Sequence, residues 1–423
     1  MKNAQMLLKF INGAKTAYHT VEKIKESLIE AGFSEISEGD VSAFSDGGAH
    51  FVLRSDSSII AFFGKGEGFS IAAAHSDTPA FKLKGDFSSG VYTRLDAEKY
   101  GGAILYSWLD RPLSVAGRAV VDTGDGIAVR IVDVGRPVAV IPSVAIHQNR
   151  SVNDNLSLNA ATDMVPLAAI GEGYSVMSLV AESLGVSEDK ILSSDLFLYN
   201  AECGTVLGID SGLILSPRLD NAECTFAALR GFLSAENSGK SVAVLAVFDN
   251  EEVGSATKQG ADSTFLSDTL RKIAGTEENY CKMLECSLML SADNAHAKHP
   301  NHPELSDKLQ APSLGSGVAL KFNANQRYAT DSVSCALVKK LGERAGARLS
   351  SYYCRADMPC GSTLGSISTT HVGVLTADIG LPQLAMHSAV ETAAVSDLSD
   401  MILLMREHFS SGLKKIDGGY ILK

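Results

Sequence analysis

Five short stretches of the chain place histidine, aspartate or glutamate where an apolar run ends. They are IAAAHSDTPA with His75 and Asp77, ILSPRLDNAE with Asp220, VAVLAVFDNEEVGS with Glu251 and Glu252, LMLSADNAHAKHPNH with Asp293, and LPQLAMHSAVE with His387. Two imidazoles and several carboxylates suit a pair of zinc ions, because nitrogen and oxygen donors hold Zn²⁺ at about 2.0–2.2 Å and leave room for solvent. A carboxylate with two oxygens can bridge metals ~3.5–4 Å apart, and such a pair polarises a scissile carbonyl while activating water. Metal-assisted hydrolysis is the chemistry this inventory points to. The adjacent glutamates can divide two jobs, one binding metal and the other moving protons, and Asp77 is placed to hold the second nitrogen of His75. Taken singly each stretch is ordinary, since a histidine can end a strand for structural reasons and Asp220-Asn221 fits a helix cap. Their recurrence at five apolar-to-polar transitions is the signal.

Those transitions call for a sheet that presents functional groups beyond the carboxyl ends of its strands. Strands are expected at 51–54, 57–63, 69–74, 241–248 and 287–292. Helices are expected after Asp220, near Asp268, and over 330–345 and 398–409. The alternation predicts an α/β fold, a mixed and largely parallel sheet flanked by helices. Between them the texture changes to short Val/Ile-rich runs broken by Gly, Asp and Pro (GRAVVDTGDGIAVRIVDVGRPVAVIP), followed by a segment with helical spacing over 165–184. This predicts a β-rich domain at 89–212 inserted into a catalytic domain made of 1–88 and 213–423. The first ~32 residues read as one amphipathic helix with charges that rule out a signal peptide.

Composition sets the outer limits. The 423 residues are 45% hydrophobic and 20% charged, ordinary for a globular protein, and the formal net charge of −12 repels a nucleic-acid backbone or an anionic membrane. No apolar run approaches the ~18 residues that a spanning helix needs. The seven cysteines are scattered without a CxxC pair, which fits a reducing cytoplasm and small buried side chains rather than chemistry.

Eight motifs in order, AHSDTPAFKLK, HQNRSVNDN, SPRLDN, FDNEEVGS, the Asp293 segment with AHAKHPNH, NQRYATDS, DMPCGSTLG and MHSAVE, resemble the aspartyl aminopeptidase family of dinuclear zinc metalloaminopeptidases over the whole chain. The resemblance implies that His75, Asp220 and Asp293 hold one ion and Asp220, Glu252 and His387 the other, with Asp220 as the bridge. It implies Glu251 as general base and acid, Asp77 as the residue orienting His75, and His147 as a group reaching a neighbouring subunit's site to stabilise an oxyanion. Lys321 and Tyr328 match positions lining the substrate pocket, where Lys321 could pair with an acidic side chain. Further implied are peptide substrates with acidic N-terminal residues, two Zn²⁺ per subunit with Co²⁺ or Mn²⁺ as alternatives, a dimerisation role for the insert, and a tetrahedral shell of twelve subunits. Competing readings are an aminopeptidase of neutral or broad specificity, a dinuclear hydrolase of other amides, and a shell protein with a vestigial site. His296, His299 and His302 read as a loop near the metals, and MPCGSTLGS as backbone that could receive the peptide's free end.

Overall fold

The computed structural model describes residues 1–236 and 239–423. Its largest element is a nine-stranded mixed sheet, in the order Ser34–Glu35, His50–Arg54, Ser58–Phe63, Val242–Phe248, Phe69–His75, Leu288–Ala292, Leu375–Gly380, Val318–Phe322, Leu349–Tyr353. The middle of this sheet is parallel: Phe248 pairs with His75, Ser291 with Ala73 and Ala292 with Ile379. Every residue of Val242–Phe248 and Phe69–His75 is buried, as expected of parallel strands covered on both faces.

Alternate side chains of these strands feed two cores. Ala243, Leu245 and Val247 pack with the helices Lys2–Gly13, Ala17–Glu30, Leu219–Leu233, Ser332–Ala345 and Val395–Ser410. Val244, Ala246 and Phe248 face Phe265–Ala274 and Glu277–Glu285 on the other side. The α/β class expected from the sequence is therefore the one observed.

A second, antiparallel six-stranded sheet runs in the order Ile127–Asp133, Leu113–Asp122, Ile191–Asn200, Ala80–Ser89, Tyr92–Tyr100, Leu167–Ile170 around a core with Trp108. The earliest of these strands in sequence is Ala80–Ser89, so the expected edge at 88/89 falls inside a strand. A third sheet of five short strands, Thr205–Leu207, Leu213–Ser216, Glu391–Ala394, Pro382–Leu384 and Ala295–His296, lies in that order.

Three local expectations are corrected. The N-terminal stretch is two helices, because Thr16 is extended (φ −141°, ψ 172°) and starts the second one. Over 165–184 only Val176–Leu184 is helical. Gly171 and Gly173 take positive φ and turn the chain out of the strand Leu167–Ile170, and the Ser175 hydroxyl caps the new helix by accepting from the Met177 N–H at 3.1 Å. Cys354 and Cys360 are joined as a disulfide with Cα atoms 5.9 Å apart, against the reading of the scattered cysteines as small buried side chains in a reducing cytoplasm. No helix among the described residues is long and apolar enough to cross a membrane.

Candidate active site

Because three neighbouring parallel strands end at the same level, the residues just past them meet. His75 closes Phe69–His75, Glu251 and Glu252 follow Val242–Phe248, and Asp293 follows Leu288–Ala292. The small sheet delivers the other two: Asp220 follows Leu213–Ser216, and His387 lies between Pro382–Leu384 and Glu391–Ala394. At Arg218, Asn250 and His387 the backbone is left-handed, with φ of 59°, 64° and 67°. Non-glycine residues hold this conformation where surroundings enforce it, and here all three are at or beside the converging side chains.

His75 Nε2 lies 3.5 Å from Asp220 Oδ1 and 3.6 Å from Asp293 Oδ1, while His387 Nε2 lies 3.4 Å from Asp220 Oδ2 and 3.5 Å from Glu252 Oε2. These separations exceed the ~2.7–3.2 Å of good hydrogen bonds. They match instead the ~3.3–3.5 Å between donors arranged tetrahedrally at about 2.0–2.1 Å from one zinc ion. Each oxygen of Asp220 faces a different imidazole. Asp220 Oδ1 and Glu252 Oε1 are buried without a hydrogen-bond partner, and ligand atoms of His75, Asp220 and Glu252 all lie within 4.8 Å of one another. A donor set of two imidazoles and three carboxylates with orphaned inward oxygens fits zinc.

The surroundings fix these groups one by one. His75 Nδ1 is 3.1 Å from the Asp77 carbonyl and 3.3 Å from its carboxylate, which leaves Nε2 free to face the centre. The same Asp77 carboxylate accepts the N–H groups of Glu251 and Glu252, each at 3.2 Å, and the Tyr100 hydroxyl at 2.7 Å. Glu391 accepts the backbone N–H of Asp220 at 3.0 Å and that of His387 at 2.7 Å. Gly101 and Gly102, just past the inserted strand Tyr92–Tyr100, pass close to the cluster. A Cβ at Gly101 would sit 3.1 Å from Glu252 Cβ, and one at Gly102 would sit 3.1 Å from His387 Nδ1.

Glu251 makes no ion pair with the cluster among the described residues. Burial pushes its carboxyl up to about 8, against the opposing pull of His75. Burial also disfavours charge on His387, yet the Asp220 and Glu252 carboxylates raise it to about 10.

Lys321 is 2% exposed, with Nζ 3.3 Å from Asp293 Oδ2 and over the Tyr328 ring at 5.4 Å. Its burial opposes charge, but the surrounding acidic groups, Asp293 foremost and Tyr328 and Asp378 with it, more than compensate and raise its pKa. The structure thus brings His75, Asp77, Asp220, Glu251, Glu252, Asp293, His387, Lys321 and Tyr328 into one region. His147 is different: it is exposed in the turn around Ala145–Gln148 of the insert and makes no contact with the cluster among the described residues. Sequence reasoning missed Tyr100, the Gly101–Gly102 pair and Glu391. Only Glu391 left a trace, four residues past His387 in an otherwise apolar stretch.

Residues 10–409 match the family model described as aminopeptidase I zinc metalloprotease (M18). A probable M18 family aminopeptidase 2 from Clostridium acetobutylicum is 40% identical over 421 residues, covering 94% of this chain and 97% of that one. One from Pseudomonas aeruginosa is 35% identical over 421 residues, covering 96% and 98%. Among solved structures, a chain of the Ape4 and Nbr1 complex superposes with a TM-score of 0.93 at 36% identity over 96% of this chain and 85% of its own. A chain of the S. cerevisiae mApe1 dodecamer does so with 0.84 at 27%, over 96% of each. The strand-end cluster and these matches together make the chain a member of the M18 family of zinc metalloaminopeptidases.

Proposed function

We propose that this aminopeptidase uses two metal ions to remove N-terminal residues from peptides, with a preference for Asp and Glu. The observation that carries the two-ion reading is Asp220, whose two oxygens face His75 and His387 separately. His75, Asp220 and Asp293 would hold one ion, and Asp220, Glu252 and His387 the other. Such ions supply Lewis acidity to the scissile carbonyl and to water near neutral pH.

The chain's own groups do the rest. Glu251 takes a proton from the attacking water and returns it to the leaving amine, a role open to a carboxyl beside the ligands that makes no ion pair with them among the described residues. Asp77 and Glu391 hold the ligands in register. Lys321 contributes the positive charge that favours an acidic side chain, with Tyr328 forming the wall beside it. We further propose that the six-stranded sheet forms a dimer contact, that dimers build a dodecamer as in the mApe1 structure, and that His147 acts in the site of a neighbouring subunit. A cytoplasmic location fits the five unpaired cysteines, while the Cys354–Cys360 disulfide is the feature that argues against it.

The test is release of a panel of N-terminal residues from a common leaving group, with chelator and with zinc restored. Glu251→Gln is expected to keep its zinc and lose activity by a factor of about 10²–10⁴. Lys321→Met is expected to lower the preference for Asp over Leu by roughly 10–100-fold, the value of a charge-assisted hydrogen bond. Full activity in the zinc-loaded Glu251→Gln enzyme sinks the mechanism. Wild-type release of neutral residues alone keeps the mechanism and removes the acidic preference, and cleavage of other amides in place of peptides favours the broader hydrolase.

A further inference from the structure

We infer that Asp378 is a positioning residue for substrate binding, a single buried carboxylate that ties the loop after Tyr328 to the 358–363 loop, whose Cys360 packs against Tyr328 and Tyr352. It lies in the strand Leu375–Gly380 with 0% exposure, in the strand beside the one that leads to Asp293, and is not itself one of the proposed ligands. Its Oδ2 accepts the Ala329 N–H at 2.6 Å, directly after Tyr328, and its Oδ1 accepts the Thr363 hydroxyl at 2.6 Å, in the DMPCGSTLG stretch. Its own N–H donates to Thr330 Oγ1 at 2.8 Å. Room for the carboxylate exists because residue 365 is glycine, where a Cβ would come close to both oxygens of Asp378.

The clamp is stiff at both ends. Ala329 offers a backbone donor that cannot turn away, and Thr363 begins the helix Leu364–Ser368. Next to Ala329 is Tyr328, 5% exposed under the Lys321 ammonium, with its ring centroid 6.2 Å from that of Tyr352. Loss of the clamp frees the Tyr328 loop and the 358–363 loop from each other, whereas the bond that seats Asp293, from its N–H to the Ile379 carbonyl at 3.0 Å, is backbone to backbone and does not use the Asp378 side chain. Affinity for substrate should suffer, and zinc binding should not.

This inference rests on the reading of the Tyr328 wall as the substrate pocket, and the variants separate the two. In Asp378→Ala both acceptors are gone, and KM is expected to rise at least about tenfold, the effect of one or two lost buried hydrogen bonds, with zinc content and kcat near wild type. In Thr363→Val, a milder change that keeps the shape, a rise of about threefold is expected. Asp378→Asn is expected to restore KM, since its amide oxygen can accept from Ala329 while its NH₂ donates to the Thr363 hydroxyl, which can turn to accept.

If Asp378→Asn raises KM as much as Asp378→Ala, the carboxylate acts through its charge on Lys321 and the clamp is overturned. If Tyr328→Ala raises KM but neither Asp378→Ala nor Thr363→Val does, Asp378 is structural only. If none of them moves KM, the pocket reading falls as well. Should Asp378→Ala not fold, Thr363→Val and Asp378→Asn still decide the question.

Discussion

Asp77→Asn tests how the centre is held without touching a proposed ligand. The carboxylate, in a residue 4% exposed, serves four donors: His75 Nδ1 and the Glu251 N–H on Oδ1, the Glu252 N–H and the Tyr100 hydroxyl on Oδ2. Asparagine keeps one oxygen and replaces the other with an NH₂ group. If Oδ1 is lost, the amide faces the Glu251 N–H and the imidazole. If Oδ2 is lost, it faces the Glu252 N–H, while the tyrosine hydroxyl can rotate to accept. At least one backbone N–H therefore loses its buried acceptor in either orientation, which costs about 1–3 kcal/mol. That range corresponds to a loss of zinc affinity of roughly 10–100-fold, the span typical of groups that orient metal ligands. The assay is zinc titration of stripped protein in competition with a chromophoric chelator, read beside activity at each free zinc concentration. Tyr100→Phe, which removes one donor of the four, should fall between wild type and Asp77→Asn. A zinc Kd for Asp77→Asn within twofold of wild type, with activity intact, would refute the claim that Asp77 holds the site.

Three further outcomes follow from packing and burial. Gly101→Val should lower zinc occupancy and activity about tenfold or more, because φ is +74° and the new Cβ would press on Glu252 at 3.1 Å; metal analysis and activity report it. Arg218→Met should reduce unfolding stability by roughly 2–4 kcal/mol in a denaturant titration, since the buried guanidinium serves the carbonyls of Ile11, Ala14 and Asn200 beside the Asp220 turn. Burial lowers His408 from 6.5 to about 4, opposed by its hydrogen bond to the Ile71 carbonyl at 2.9 Å. Between those pH values the unfolded chain binds a proton that the folded one refuses. Its contribution is complete above pH ~6.5, falls as acid is added and levels off below ~4, a total of roughly 3 kcal/mol. His408→Gln should flatten that part of the stability–pH curve, and an unchanged slope would remove His408 as its source.

Much of the catalytic framework was legible because it depends on local pattern. Continuous apolar runs such as VAVLAVF can only be buried strands or helices, and their length and β-branched content decide for strands. The polar groups at their ends then had to share one edge. What could not be read were roles created by chain crossings. Tyr100 and the Gly101–Gly102 pair belong to an inserted strand, and nothing in their neighbours announces that they pass beside Glu252 and His387. Glu391 looks like one more acid at a strand start until the backbone donors of Asp220 and His387 are seen to converge on it. The 165–184 segment misled because apolar residues on both sides of Gly171–Gly173 mimic helical spacing, while the glycines make the break.

The interleaving of the two large sheets bears on how the chain acquires its shape. Strands that lie side by side in the nine-stranded sheet, Phe69–His75 and Val242–Phe248, are made before and after the whole six-stranded sheet. The six-stranded sheet contains two local hairpins, Ala80–Ser89 with Tyr92–Tyr100 and Leu113–Asp122 with Ile127–Asp133, and is completed by Ile191–Asn200, so all its partners are made before Val242–Phe248. During vectorial synthesis it can therefore form while the N-terminal half of the catalytic sheet still waits for its central strand. The waiting half holds Phe51, Ile59, Ile60, Phe62 and Phe69, all buried in the finished protein. Until Val242–Phe248 emerges, these side chains lack the central strand that covers them in the finished sheet, an interval in which exposed apolar surface favours aggregation.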